Sequence, residues 1–294
     1  MRKIPATLAL FALVLSSPAA PAEVDWSRVD AAFGKKPIVS GAVHKYGLPR
    51  SDLHVTLDGV DIKPALALGG WVAFEPMGRD AMMMGDLVLT EPEINPVMSS
   101  LLAAGVQITG VHNHLLRAHP ATFYMHVSAQ GDPTKLAQLV RDALGASGTP
   151  FEASGGGQQA PELGFDAARL DEALGAHGKN NGGVYQFSFP RGDQIRAGGM
   201  TVAPAMGTAT ALNFEPTGGG KAAISGDFVA EAREVEPLLK ALRANGVEVT
   251  ALHNHMLDDE PRLFFVHFWA NDDAVKLAHA LRAGLDAVHA PERS

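Results

Sequence analysis

The chain has no cysteine among its 294 residues. That absence excludes disulfides, thiolate chemistry, Cys-ligated zinc and the Cys-dependent blue-copper centre. It also excludes a lipid anchor carried on a cysteine after a signal segment. Any metal here must be held by His, carboxylate, Met, backbone or water. Positive charge is short as well: 24 Lys and Arg stand against 32 Asp and Glu, a formal net charge of -8. No basic run interleaved with aromatics occurs, so nucleic acid and anionic membrane surfaces are disfavoured as main partners. Long apolar runs are missing too, and no segment reaches the length of a comfortable membrane span. The chain lacks a G-x-S-x-G elbow, a P-loop and an H-E-x-x-H helix. Spacing does not exclude Ser-His-Asp catalysis, yet nothing singles out a particular serine.

What is present describes a globular protein, 46% hydrophobic and 19% charged, with length for two ordinary domains. Its start reads as a secretory signal. Arg2 and Lys3 are followed by the apolar run ATLALFALVL (6–15) and by Ala20 and Ala22 in an A-x-A arrangement. The expectation is cleavage after Ala22, a periplasmic or secreted location, and no transmembrane segment in the mature chain.

A duplication organises the rest. GVQITGVHNH (105–114) and GVEVTALHNH (246–255) match at six of ten positions, and the offset of 141 holds through Lys135-Leu136 and Lys276-Leu277. Upstream, Gly85-Asp86 pairs with Gly226-Asp227, Glu93 with Glu234, FEP (74–76) with FEP (214–216), and PR (49–50) with PR (190–191). A duplicated domain fits this length better than a solenoid repeat. The expected division is a signal at 1–22, a first repeat at 23–148, a Gly/Ser/Pro-rich linker at 149–162 and a second repeat at 163–294. Within each copy the pattern alternates strands and helices. Asn95 and Pro96 suggest a helix start closed by Gly105, and Asp132 and Pro133 suggest another closed by Gly145. VQITGVHNHL and ATFYMHVSA read as strands. The expected fold is α+β, each copy a sheet with an antiparallel H-x-H hairpin flanked by two helices.

The histidines carry the chemistry. HNHLLRAHPATFYMH (112–126) and HNHMLDDEPRLFFVH (253–267) place His112, His114 and His126 in one copy and His253, His255 and His267 in the other. On a strand, residues two apart share a face at roughly 6.5–7 Å. A hairpin turning at 119 or 120 puts His126 opposite His112 or His114, so either register gathers three rings, and a slip of one disperses them. Three imidazoles with a carboxylate or water suit zinc foremost, and other divalent transition metals with different geometries. Glu260 is a candidate fourth ligand, with His119 its counterpart. The bland alternative is a hairpin of partly buried, hydrogen-bonded histidines.

Other residues read more plainly. Met82, Met83 and Met84 suggest core packing rather than soft-metal ligation, because the second copy has Ala, Ile and Ser there. Glu93 and Glu234 suggest helix capping, and Asp86 and Asp227 suggest turn chemistry after glycine. Tyr124 beside the first trio could serve as an acid, but Phe265 replaces it in the second.

The HNHLL…YMH block, together with the MGDLVLTEPEINPVMSSLLAAGVQITGV run before it, is similar to the LppY/LpqO family. The resemblance covers nearly all of the mature chain. It implies an exported, often duplicated domain and brings no established activity. Three functions follow as expectations. The leading one is an exported metal-binding protein using the six histidines and Glu260. The others are a metal-dependent hydrolase and a non-metal binding module whose partner is a small molecule or an envelope component.

Overall fold

The computed structural model describes residues 23–151 and 161–288; the expected signal and cleavage point, and most of the expected linker, lie outside the described residues. The first repeat runs α1 (Trp26–Phe33), β1 (Ile38–Ser40), β2 (Val43–Pro49), β3 (Thr56–Leu57), β4 (Val60–Asp61), α2 (Pro64–Ala67), β5 (Gly69–Met77), β6 (Asp80–Thr90), α3 (Glu91–Ala103), β7 (Gln107–His112), β8 (Thr122–Gly131) and α4 (Pro133–Leu144). The second runs α5 (Ala167–Leu174), β9 (Lys179–Asn181), β10 (Val184–Pro190), β11 (Arg196–Ala197), β12 (Met200–Thr201), a 3-10 turn (Pro204–Met206), β13 (Ala209–Gly218), β14 (Lys221–Glu231), α6 (Ala232–Ala244), β15 (Glu248–His253), β16 (Leu263–Asp273) and α7 (Ala274–Ala287). Each repeat builds one six-stranded antiparallel sheet, ordered β1-β2-β5-β6-β8-β7 and β9-β10-β13-β14-β16-β15. The same order twice is the expected α+β duplication.

Strand alternation sets the layers. In β6, Met83, Leu87 and Leu89 face α3 and α4, where Val97, Leu101, Ala137 and Val140 complete a core. Their neighbours Met82, Met84 and Val88 point the other way, into clusters shared with Val229, Phe265 and Trp269 of the second repeat. In β14, Ile224, Phe228 and Ala230 face α6 and α7, while Ala223 and Val229 face the first repeat. The two sheets therefore pack face to face with helices outside, as helix, sheet, sheet, helix.

Each repeat also extends an arm over the other's sheet. Val55, Leu57, Ile62 and Leu66 pack with Val184 and Trp269, and Ile195, Ala197, Val202 and Met206 pack with Ala73, Met82 and Met84. The FEP glutamates anchor these arms. Glu215 accepts the Lys63 backbone N–H at 3.0 Å and Glu75 accepts that of Ala203 at 3.3 Å.

The α4 boundaries match the expectation: Asp132 caps it, Pro133 opens it and Gly145 closes it. The helix expected to start at Asn95 and Pro96 instead begins at Glu91, with Thr90 and Glu93 forming a capping box and Pro96 inside. Proline there costs one backbone bond, which the capping box and the buried Val97 and Leu101 outweigh. Met82, Met83 and Met84 are core residues, as expected. Among the described residues, no helix is long and apolar enough to cross a membrane.

Candidate metal centre

Parity decides where the histidines point. β8 pairs with β7 through His112 opposite Tyr124 and Gly110 opposite His126, with a bulge between Ile108 and Gly110. β16 repeats this with His253 opposite Phe265 and Ala251 opposite His267. His126 therefore opposes Gly110 rather than His112 or His114 as expected, but the shift is even and parity is kept, so the rings share a face. His114 corrects the expectation in another way, because β7 ends at His112. The Asn113 side chain accepts the Leu115 N–H at 2.7 Å and turns the chain, folding His114 back under Tyr124.

The register differs because RAHPA is not a tight turn. His119 exchanges backbone hydrogen bonds with Thr56 on β3, both at 2.9 Å, and Glu260 exchanges them with Arg196 on β11. The arms hold these residues by their backbones at the surface, and both side chains are exposed. Glu260, the expected fourth ligand, and its counterpart His119 are not brought to the histidines. Among the described residues, the groupings that could hold an ion are His112, His114, His126 and His253, and then His253, His255 and His267, with ligand atoms within 4.8 Å of one another.

The two trios are not separate sites. Because the sheets face each other, the trios interdigitate across the approximate two-fold between repeats. His112 stacks on His253 at 3.5 Å between ring centroids. Tyr124, His114 and His267 make one three-ring stack with spacings of 3.4 and 3.4 Å. Phe265, His255 and His126 make its mate at 3.4 and 3.8 Å. Tyr124 donates its hydroxyl to the Ala67 carbonyl at 2.6 Å, which commits it to structure and against the acid role.

Asp86 and Asp227, read from sequence as turn residues, lie in mid-strand. Asp86 opposes His126 on β8, and Asp227 opposes His267 on β16. A strand continues through Gly-Asp here because glycine lets the neighbouring strand approach: a Cβ on Gly226 would sit 2.0 Å from the Ala211 carbonyl oxygen. Asp227 lies 3.7 Å from His267 Nε2 and 3.8 Å from His255 Nε2, and Asp86 lies 4.0 Å from His126 Nδ1. These aspartates are the site residues that the sequence reading missed. The repeated Gly-Asp pair and its parity with His126 were the available signal.

Burial governs protonation. It pushes His112 down to about 3, with His253 adding to the effect, and pushes His253 down to about 4. His114, His126, His255 and His267 fall well below the ordinary histidine value, again chiefly through burial. Burial lifts the Asp86 carboxyl to about 7 against the pull of Lys45, and lifts Asp227 well above the carboxylate range, with Asp86 adding to the rise. The cluster thus presents neutral imidazoles, the form that binds a metal. His126 and His267 also make hydrogen bonds to the Gly85 and Gly226 backbone. Yet Nε2 of His126, His253, His255 and His267, and Oδ1 of both aspartates, are buried without a hydrogen-bond partner.

Residues 27–146 and 168–287 each match the model of the family described as Domain of Unknown Function (DUF1259). The chain belongs to that family. It carries the domain in two tandem copies. No protein of curated function matches the chain. Among solved structures, the trimeric bacterial microcompartment shell protein PduB is 15% identical over 86% of this chain and 90% of that one, with a TM-score of 0.21. The regulatory subunit of aspartate kinase from Thermus thermophilus is 15% identical over 74% and 96%, with a TM-score of 0.19. EtuB from Clostridium kluyveri is 9% identical over 85% and 90%, also with a TM-score of 0.19. Likenesses this low carry no argument about this chain.

Proposed function

We propose that this protein binds a divalent transition metal, zinc foremost, in the histidine cluster between its two repeats. The single observation behind the reading is the set of four imidazole Nε2 atoms, one from the first repeat and three from the second, that are buried without hydrogen-bond partners within two histidine groupings sharing His253. Orphaned polar atoms are costly in a core and call for a partner such as an ion. The backbone hydrogen bonds of His126 and His267 support it, because they fix the tautomer that leaves Nε2 free, as in many metal sites. The proposal includes export to the periplasm or medium after cleavage at Ala22, and it is compatible with the likeness to the exported LppY/LpqO proteins.

The test is elemental analysis of protein loaded with zinc and dialysed. Wild-type chain should retain zinc stoichiometrically, and His253→Ala should lose most of it, since His253 belongs to both groupings. Zinc absent from dialysed wild-type protein would refute the reading and favour a non-metal binding module.

A second reading, metal-dependent hydrolysis, draws on a cavity of about 1010 Å³ that is lined by His114, His267, Asp86 and Asp227. It would let a substrate reach a metal-activated water, with a carboxylate to move the proton. Zinc-loaded protein assayed on chromogenic esters and phosphates checks it, with His253→Ala inactive if the reading holds.

A further inference from the structure

The ring stacks of the two repeats mirror each other, but the acids beside them are not in equivalent surroundings. Asp227 Oδ1 stands 3.7 Å from His267 Nε2, and Asp227 Oδ2 stands 3.8 Å from His255 Nε2. Around a tetrahedral ion bound at about 2.1 Å, neighbouring ligand atoms lie about 3.4 Å apart, and because the two contacts use different Asp227 oxygens, the carboxylate must turn to present both to one ion. Asp227 Oδ1, His255 Nε2 and His267 Nε2 are all buried without hydrogen-bond partners. Each of them has an atom to offer and nothing to offer it to.

The sister aspartate differs. Asp86 meets its histidine at 4.0 Å through Nδ1 of His126 rather than through the unpartnered Nε2. It also shares its surroundings with the Lys45 ammonium, whose charge acts on it directly. At the same offset in the second repeat stands Gln186, an uncharged amide. Asp227 is left facing neutral imidazoles and Asp86, another acid. A buried carboxylate without a cation needs a proton or a metal.

The geometry points to Asp227 as the carboxylate ligand of an ion held with His255 and His267, on the side that opens to the inter-sheet cavity, where a small anion completes its coordination. This deepens the metal-binding reading and rests on it. Two histidines and one carboxylate leave coordination positions free, unlike a closed four-ligand structural site. Asp227 and His267 line the cavity, so those positions are reachable. Lys45 lines the same cavity from the Asp86 side, its ammonium 3.8 Å from the Trp71 ring centroid, and with Lys63 and Lys179 gives the cavity lining positive charge. Open positions on a cation beside these lysines favour a small anion as the ligand class.

The experiment is cobalt(II) titration of the full chain, followed by visible absorption, with folding checked by circular dichroism. Asp227→Asn should weaken the bound ion by more than about tenfold, and by a larger factor than Asp86→Asn, because only the first change removes a direct ligand. Azide added to cobalt-loaded wild-type protein should shift the cobalt bands, and Lys45→Met should raise the azide concentration required. Equal behaviour of Asp227→Asn and wild type, or an unresponsive cobalt spectrum with azide, overturns the assignment while metal binding itself stands. Failure of wild-type protein to take up cobalt at all would instead sink the metal-binding reading. Should Asp227→Asn not fold, the azide response of the wild-type protein still decides whether the ion is open to the cavity.

Discussion

Arg50 is among the largest fully buried side chains, and it holds three parts of the first repeat together. It donates to Asp52 at 2.9 Å, to Glu93 at 2.7 Å and to the Val88 carbonyl at 2.8 Å. Arg191 does the same in the second repeat with Asp193, Glu234 and the Val229 carbonyl. The PR dipeptides that marked the duplication are thus the anchors of two buried ion networks. Removing one partner strands the others, so Arg50→Ala should cost about 3–5 kcal/mol in urea unfolding. Burial raises the Glu93 carboxyl, but hydrogen bonds from Arg50 and from the Thr90 and Gly148 N–H groups outweigh it and hold the group below the ordinary range. A depressed carboxyl stabilises the fold fully above the ordinary glutamate value, about 4.3, and loses that contribution as pH falls through the lowered one. Urea midpoints measured from pH 7 to pH 3 should therefore fall on acidification, and Glu93→Gln should flatten that fall. Glu93 and Glu234 have the capping roles that the sequence suggests, since both complete capping boxes. Their bond to a buried arginine was not visible, because nothing local links residue 50 to residue 93.

At the scale of elements, the central strands β6 and β14 carry the decisive irregularity. Both contain Gly-Asp in mid-strand, although glycine and aspartate dominate turns and locally favour one. Pairing on both sides overrides the local preference. β14 is paired along its length with β16 and with β13, and Gly226 lies opposite Leu212 and Phe268. A methyl group at Gly226 would press into the Ala211 carbonyl at 2.0 Å, whereas at Gly85 the nearest contacts are at 3.0 Å. Gly226→Ala should therefore destabilise by at least the roughly 1–3 kcal/mol of core overpacking, and by more than Gly85→Ala. Thermal melts of the two variants would show it, and equal losses would count against the close strand approach beside Asp227. The H-x-H hairpin shows a similar limit. Its parity followed from alternation alone, but its register depended on β3 and β11 pairing with the loops at His119 and Glu260.

At the scale of the whole molecule, the repeats form one body rather than two beads. The shared clusters place Met82 and Met84 against Phe265, and Leu57 against Trp269, so each sheet's inner face is covered by the other repeat together with its own arm. Residues 161–288 expressed alone would expose Val229, Met256, Leu263 and Phe265 as a contiguous apolar surface. That fragment should self-associate, most simply as a two-fold dimer imitating the intact chain, and light scattering after size exclusion would show it. A soluble monomer would mean that the sheet-to-sheet contact is dispensable. In the dimer, copies of His253, His255 and His267 would face one another as the two trios do here.

The sequence by itself determined the duplication, the α+β class, the helix at Pro133–Leu144, and the sharing of one face by His112 and His126. Each of these depends on local pattern or self-comparison, and the period-two geometry of a strand needs no partner to state. The tertiary structure alone decided that the two trios meet, that Asp86 and Asp227 stand beside them, and that Glu260 does not. Those facts depend on how one sheet's inner face lies against another. Face-to-face packing brings residues more than a hundred positions apart into ring contact, and strand periodicity carries no information about which sheet lies opposite.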